Sequence, residues 1–347
     1  MNLAILFGAS SYEHEISVVS AITMKKVLKN IQITYIFVSS DRRFYLIDSN
    51  KINSKLFSSG EYKKSKELTL KQGGFFVDGM LKSKKVEFDV ALNLVHGRDG
   101  EDGKIASLLE FNGIKYISPR VEASVLSYNK LYTKLYAKSM GVDVVEYQHL
   151  NKNDKREISF EYPVIIKPVR LGSSIGVSIV KSDDELEYAL DVAFEFDDDV
   201  IVEPFIQGVA EYNQAGTFTD DWQLSIVEEP QKEEFLDFEK KYMDFSRDSQ
   251  VLQANIDESL KAKIQESFKK IYADTFRGSI IRCDFFVVDN KVLLNEINPI
   301  PGSMANYLFE DFESLLHSLV ANLPIEKKIP VDYTYIHSIQ SAKGKVN

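Results

Sequence analysis

The sequence predicts an α/β and α+β protein: an N-terminal parallel-sheet α/β unit, then units built on antiparallel hairpins. Three observations carry that prediction. Residues 2–38 run strand, loop, helix, strand, the order that makes a parallel sheet with its first loop at the strands' carboxyl ends. A second strand, 88–95, ends in a turn of three glycines and several charges, and a helix follows. Residues 282–298 form two apolar strands joined by a tight Asp-Asn-Lys turn.

In chain order, the apolar run Asn2-Leu-Ala-Ile-Leu-Phe7 reads as a buried strand, and Gly8-Ala-Ser-Ser11 turns the chain. Ile16, Val19, Ser20, Thr23 and Val27 recur at helical spacing, so a helix is expected over about 13–30, with a strand at 34–38. Residues 41–87 read as an irregular, lysine-rich hairpin region, followed by the strand at 88–95, a helix at 104–111 and a strand at 114–118 closed by Pro119. A second unit opens near Arg120 with one helix over 123–140 that carries Lys130 and Lys134 on one side. Its strands are 162–167 and 177–180, around the loop Leu171–Gly176. Ser182-Asp-Asp-Glu185 has the capping-box pattern for a helix start, and 200–205 is a strand carrying Glu203 before Pro204. The third unit has strands at 211–217 and 224–227, an acidic and aromatic loop near 228–250, a helix at 257–276, the hairpin, and a last helix near 310–322. The expected units are 1–119, 120–205 and 206–325, with a polar tail at 326–347.

Composition bounds the function. At 347 residues the chain exceeds one typical core, and its 44% hydrophobic and 27% charged residues are ordinary for a globular protein. A net charge of −10 argues against a general nucleic-acid or anionic-membrane binder. The single cysteine, Cys283, excludes an intramolecular disulfide and reads as packing rather than a nucleophile. With no basic region followed by an apolar run at the start and no 18-residue apolar stretch, the expectation is a cytoplasmic protein without a membrane span.

The hairpin carries the strongest chemistry. Residues two apart on a strand share a face, so Arg282 pairs with Asp284 and Glu296 with Asn298. Whether the pairs meet depends on register. A two-residue turn at Asp289-Asn290 would set Asp284 opposite Asn295, whereas a three-residue loop, 289–291, sets Asp284 opposite Glu296 and Arg282 opposite Asn298. The second register is expected. It gathers two carboxylates, an amide oxygen and a guanidinium, a set suited to Mg²⁺ holding a polyphosphate. The alternative is a solvated polar face, but the strand runs directly into Pro299-Ile-Pro-Gly302, which can only be a shaped loop with Gly302 able to present its backbone N–H.

The loop Gly172-Ser-Ser-Ile-Gly176 matches G-x-S-x-G, a hydrolase nucleophile turn around Ser174. That motif needs a helix after it, and 177–180 reads as a strand. A strand–loop–strand is instead a flap whose N–H and hydroxyl groups, those of Ser173 and Ser174, can close over phosphates, with Lys167 adding a cation. Glu203 is either a hinge acceptor for an adenine amino group or a strand-end carboxylate. Glu13, His14 and Glu15 either face a ligand or serve the helix dipole. His96 is either functional or a capped loop histidine.

Together these segments resemble the D-alanine–D-alanine ligases of the ATP-grasp superfamily, from residue 3 to about 320. The matching pieces are Ser11–Ser17, Leu94–Gly103, Asn129-Lys130, Ile166-Lys167-Pro168, Gly172–Gly176, Phe235–Tyr242, Arg282-Cys-Asp284 and Asn295-Glu-Ile-Asn298. Each alone is a weak signal; in this order they are specific. The resemblance implies an N-terminal substrate domain and a two-lobed ATP-grasp fold that clasps ATP. It also implies a reaction in which one D-alanine carboxylate is phosphorylated and a second D-alanine amine then displaces phosphate, giving a dipeptide for peptidoglycan synthesis. On this resemblance Asp284, Glu296 and Asn298 hold two Mg²⁺ or Mn²⁺ ions. Lys130 and Lys167 hold the α- and β-phosphates, Lys241 reaches the γ-phosphate, Glu203 meets the adenine and Glu211 the ribose. Arg282 and the Gly302 N–H stabilise the tetrahedral oxyanion. Glu13 binds the first ammonium with His96 near its carboxylate, and Glu13, Ser173 and Tyr242 latch the loop over the site. The resemblance also suggests a homodimer.

The chain departs from the family pattern at Leu171, where glutamate is common, at Leu236 and Phe238, where tyrosines are, and at Tyr307, where a serine commonly binds the second substrate's carboxylate. Ser303 and Asn306 are its possible substitutes. The other readings are a D-alanine–D-lactate ligase, against which Tyr242 weighs, a nucleotide-binding protein without turnover, against which Arg282 weighs, and a serine hydrolase.

Overall fold

Strand β1 (Asn2–Gly8) shows why the first unit forms. Leu3, Ile5 and Phe7 project to one face and Ala4 and Leu6 to the other, and all are fully buried. Such a strand must lie inside a sheet covered on both faces. The computed structural model describes residues 1–80, 82–230 and 253–343. It places β1 centrally among β2 (Gln32–Val38), β3 (Phe44–Ile47), β4 (Lys66–Lys71), β5 (Gly74–Val77), β6 (Lys84–Lys85), β7 (Val90–Asn93) and β8 (Tyr116–Ile117), in the order β6-β5-β4-β3-β2-β1-β7-β8. The β2-β1-β7-β8 core is parallel, as expected. The region 41–87 is more regular than its sequence suggests, because β3 to β6 extend the same sheet as an antiparallel meander.

β2 and β7 flank β1 on opposite sides, so the chain reverses its direction of travel across the sheet at β1. Loops leaving β1 and β7 therefore part at a crevice at the carboxyl ends of the strands. The helix His14–Val27 follows the first loop, and Lys104–Phe111 follows the second. Ser17 ties the first of these helices to the end of β1 and to the residue just after β7. Its hydroxyl donates to the Leu94 carbonyl at 2.5 Å and accepts the Gly8 N–H at 2.8 Å.

The second sheet joins β10 (Gln148–Asn151), β11 (Val164–Pro168), β12 (Ser178–Val180) and β13 (Asp199–Pro204), all antiparallel, in the order β10-β13-β11-β12. The helix Asp183–Phe194 covers one face through Leu186, Ala189 and Leu190, and leaves Ile165, Lys167 and Glu203 on the other. This helix starts where the capping pattern lies, but Ser182 makes no side-chain cap; Glu185 instead accepts the Lys181 N–H at 2.8 Å.

The third sheet has the order β15-β14-β16-β17-β9, from β9 (Asp143–Val144), β14 (Ala210–Phe218), β15 (Trp222–Glu228), β16 (Ile281–Val288) and β17 (Lys291–Asn298). Its core takes Phe268, Ile271 and Tyr272 from the helix Glu258–Tyr272, and also Ala123 and Ala137. Residues 121–144 thus pack on the third sheet. The single helix expected over 123–140 is two, Val121–Tyr128 and Lys130–Ser139. Asn129 leaves helical geometry (φ −102°, ψ 110°) and its side chain caps the Tyr132 N–H at 3.0 Å, a role for which asparagine is well suited. At the other end of the chain, Ile300, Met304, Phe312, Leu315 and Leu319 pack against the first sheet, so the hairpin's exit loop reaches the N-terminal crevice. The helix Thr334–Lys343 lies in the exposed tail.

The hairpin β16–β17 corrects the expected loop and keeps the expected register. Val288 pairs with Lys291, so the turn is the two-residue Asp289-Asn290 and not 289–291. Both turn residues have positive φ, 48° and 61°, the twist that suits a tight hairpin. The pairing then shifts between Asp284 and Phe285: Phe285 faces Leu294, but Asp284 faces Glu296 and Arg282 faces Asn298. The extra residue is Asn295, a β-bulge that undoes the slip the short turn would have caused.

Replacing Asn290, a left-handed turn residue, by valine is expected to cost about 1–2 kcal/mol, because a β-branched side chain clashes in that conformation. Asn290→Gly should leave stability unchanged or raise it. Urea unfolding followed by tryptophan fluorescence reads both, since Trp222 lies in the same sheet. Equal midpoints for the valine variant and the parent would contradict the turn.

Candidate active site

The bulge brings four polar groups to the open end of the hairpin. Arg282 grips Asp284 in a fork, Nε to Oδ1 at 2.7 Å and a terminal nitrogen to Oδ2 at 2.9 Å. Asn298 Nδ2 donates to Asp284 Oδ2 at 3.0 Å, and Glu296 stands across the ladder. Burial pushes the Asp284 carboxyl above its ordinary value and Glu296 adds to this, while Arg282 pulls it down. Burial alone would weaken the Arg282 cation, but Asp284 beside it holds the guanidinium well above its ordinary value. The Tyr307 hydroxyl lies against Arg282, in the position the sequence marks as a departure.

Two carboxylates face each other across the ladder, one of them held by the Arg282 guanidinium, and the Glu296 side chain retains 37% exposure. A hard divalent cation fits this oxygen set and relieves the repulsion. Among the described residues no three acidic, histidine or cysteine side chains cluster as a metal site, so the amide oxygen of Asn298 or a phosphate would have to complete the shell.

The cleft between the second and third sheets is lined by lysines. Lys130 begins its helix with its N–H on the Val169 carbonyl at 3.0 Å, and its Nζ donates to the Leu171 carbonyl at 2.6 Å while lying 3.9 Å from Glu296. Lys167 Nζ donates to Glu203 Oε2 at 2.7 Å and to Asn295 Oδ1 at 3.3 Å. Glu203 is not an exposed strand end: it is 2% exposed, and its second oxygen pairs with Lys134 Nζ at 2.5 Å. Burial works against the Glu203 charge, yet Lys167 and Lys134 outweigh it and hold the carboxyl below its ordinary value. Burial pushes the Lys134 ammonium down. The sequence placed Lys134 beside Lys130 without giving it a role. Its partner lies far along the chain, and no local spacing announces that contact.

At the N-terminal crevice, Glu13 is 7% exposed and accepts a short hydrogen bond from Ser173 Oγ. The flap at 172–176 therefore touches the N-terminal unit. Ser173 and Ser174 both have φ of 58°, and the chain goes on into β12, as expected of a flap and unlike a nucleophile turn. Gly97 allows the close approach of Glu13: a Cβ there would lie 2.4 Å from Glu13 Oε2. Burial raises the Glu13 carboxyl, partly opposed by Ser173 and Lys130. Burial likewise raises Glu101 well above its ordinary value, with Glu13 adding to it. His96 is 3% exposed, with Nε2 3.1 Å from Ser20 Oγ and Nδ1 3.9 Å from Glu101. Ser20 also accepts the Ser303 N–H at 3.1 Å, tying the helix His14–Val27 to the exit loop of the hairpin. After Gly302, Ser303, Met304 and Ala305 all lie in the left-handed region, with φ of 47° to 57°, which is strain held in place by the packing of Met304 and Ala305. Ser303 Oγ is buried and has no hydrogen-bond partner among the described residues. Glu211 lies on β14 opposite Phe286. Lys241 and Tyr242, with Leu236 and Phe238, lie outside the described residues.

A lysine-lined cleft between two sheets, closed by a Gly/Ser flap and floored by a hairpin with paired carboxylates, defines an ATP-grasp enzyme. Residues 2–119 match the family model "D-ala D-ala ligase N-terminus" and residues 136–315 match "D-ala D-ala ligase C-terminus". The chain is 75% identical over 345 residues to the D-alanine–D-alanine ligase of Sulfurovum sp. (strain NBC37-1), covering 99% of this chain and all of that one. It is 57% identical to that of Campylobacter lari over the full length of both. The crystal structure of the D-alanine–D-alanine ligase from Helicobacter pylori superposes with a TM-score of 0.84 at 47% identity, covering 94% of this chain and all of that one. The chain belongs to the D-alanine–D-alanine ligase family.

Burial lowers the His96 pKa from 6.5 to about 4, so the ring is neutral at physiological pH. Between those values the unfolded chain binds a proton here that the folded chain does not. This residue therefore withdraws stability as pH falls from about 6.5 toward 4, about 3 kcal/mol in all. Imidazole ¹⁵N shifts of His96 should stay those of a neutral ring down to pH 5. A midpoint near 6.5 would contradict its burial.

Proposed function

We propose that this chain joins two D-alanines at the expense of ATP. The observation that carries this is the hairpin register, which sets Arg282, Asp284, Glu296 and Asn298 across from Lys130 and Lys167. It supplies cations to hold a polyphosphate and oxygen ligands to hold the metal that accompanies it. Sequence likeness to ligases supports the same reading. No helix among the described residues is long and apolar enough to cross a membrane, and we place the reaction in the cytoplasm.

The residues divide the work between two steps. Lys130 and Lys167, one at a helix start and one on β11, hold phosphates from two directions. Phosphoryl transfer needs such positioning and charge neutralisation more than any covalent help. Asp284, Glu296 and Asn298 would hold Mg²⁺ or Mn²⁺, which when bound neutralises phosphate charge. Glu13 takes the ammonium of the first D-alanine; its burial makes that pairing strong once the amine is seated. His96, neutral, orients the carboxylate by hydrogen bonding. The carboxylate oxygen attacks the γ-phosphorus and ADP leaves, giving an acyl phosphate. The second ammonium gives one proton to water, and the free amine attacks that carbonyl carbon, releasing a second proton to water as the C–N bond forms; the charge that develops on the carbonyl oxygen faces Arg282 and the Gly302 N–H. Phosphate then leaves as the carbonyl re-forms. The Ser173–Glu13 bond brings the flap to the substrate, which protects the acyl phosphate from water. Ser174 in the flap, Glu203 bonded to Lys167 and Glu211 on β14 complete the nucleotide side; Lys241, for the γ-phosphate, and Tyr242, for the latch with Glu13 and Ser173, lie outside the described residues. Ser303 and Tyr307 stand where the second carboxylate would lie.

Phosphate release from ATP is expected to require D-alanine and to yield the dipeptide, with D-lactate a poor competing acceptor. Release independent of any D-amino acid would overturn the reading. Asp284→Asn should lower kcat by about 10² or more, the scale of losing a charge that organises the phosphates. A parental rate in that variant would refute the assignment of Asp284.

A further inference from the structure

The hairpin contains a residue that its register does not need. With the two-residue turn at Asp289-Asn290, a strand one residue shorter would already set a glutamate opposite Asp284 and an asparagine opposite Arg282. The bulge therefore adds only Asn295. In a regular strand Asn295 and Glu296 would point to opposite faces. Here both address the cleft: Glu296 lies 3.9 Å from Lys130, and Asn295 Oδ1 accepts from Lys167 Nζ at 3.3 Å. Lys167 sits on β11 of the second sheet and Asn295 on β17 of the third, so the contact spans the two lobes.

We propose that Asn295 is a positioning residue for nucleotide binding, inserted by the bulge to aim the Lys167 ammonium at the phosphates from the opposite lobe. An ammonium has three N–H donors in fixed tetrahedral relation. Glu203, at 2.7 Å, directs one and Asn295 directs a second, which sets the direction of the third. Glu203 cannot do this alone, because a lysine held at one point still rotates about its stem. A neutral amide suits the task better than a carboxylate, since it orients the cation without cancelling its charge or repelling phosphate. Glu203 is already engaged by Lys134, and that second contact holds it in place.

The inference rests on the proposed nucleotide site, and a double-mutant cycle tests it. The readout is the dissociation constant of a non-hydrolysable ATP analogue with Mg²⁺, by calorimetry, for the parent, Asn295→Ala, Lys167→Ala and the double variant, with Asn295→Leu as a second variant that keeps side-chain volume. Asn295→Ala and Asn295→Leu are each expected to weaken binding about fivefold in the parent, the scale of one hydrogen bond. In the Lys167→Ala background they should change it less than about 1.5-fold, because the contact is already gone. Steady-state KM for ATP should rise with little change in kcat or in KM for D-alanine. The same factor in both backgrounds, or no effect in either, would overturn the role of Asn295 while leaving the nucleotide site standing. A parent that binds no nucleotide would overturn both.

Discussion

The arrangement depends on the pairing of β16 with β17. Asp284 and Glu296 lie on strands whose alternation would place them on opposite faces if the hairpin slipped by one residue. A left-handed turn at Asp289-Asn290 and a bulge at Asn295 together prevent that slip. The outcome is costly in isolation: Asp284 is buried opposite a second carboxylate, Glu296, with Arg282 and Asn298 bonded to Asp284 and Lys130 3.9 Å from Glu296. Natural chains keep such repulsion where a bound cation and polyanion relieve it, and the cleft lysines stand ready on the opposite sheet.

The other parts of the site are tied to this hairpin by few contacts. Its exit loop runs through Pro301 and Gly302 into three strained residues, and Ser303 reaches Ser20 on the first helix. Ser20 in turn meets His96, so the N-terminal crevice and the hairpin share a hydrogen-bonded path of named groups. On the other side, Ser173 of the flap meets Glu13. The three sheets thus converge on one volume, although each has its own core.

Much of this was legible in the sequence where the signal is local. The parallel start, the flap followed by a strand and the helix at 104–111 follow from alternation, punctuation and helical spacing, whereas the register of Asp284 with Glu296 was expected from the polar set it gathers, through a three-residue loop that the structure replaces with a two-residue turn and a bulge. The means by which the register is reached was not legible. A bulge is recorded as one extra residue, and nothing local says whether that residue lengthens the turn or interrupts the strand. Its reason, Lys167, lies on another sheet. The break at Asn129 was hidden for a related reason, since the apolar pattern continues through it and only the cap geometry shows two helices. Glu203 was ambiguous because its partners, Lys134 and Lys167, are supplied by a helix and a strand distant in sequence. The meander at β3 to β6 was obscured by lysines on its exposed positions.

The claim that the hairpin forms a metal–polyphosphate floor is tested most directly by counting Mn²⁺ bound with a non-hydrolysable ATP analogue, by electron paramagnetic resonance, in the parent and in Glu296→Gln. The analogue is expected to induce tight Mn²⁺ binding by the parent, and the variant to lose part of it while remaining folded. Undiminished Mn²⁺ binding in Glu296→Gln would contradict it.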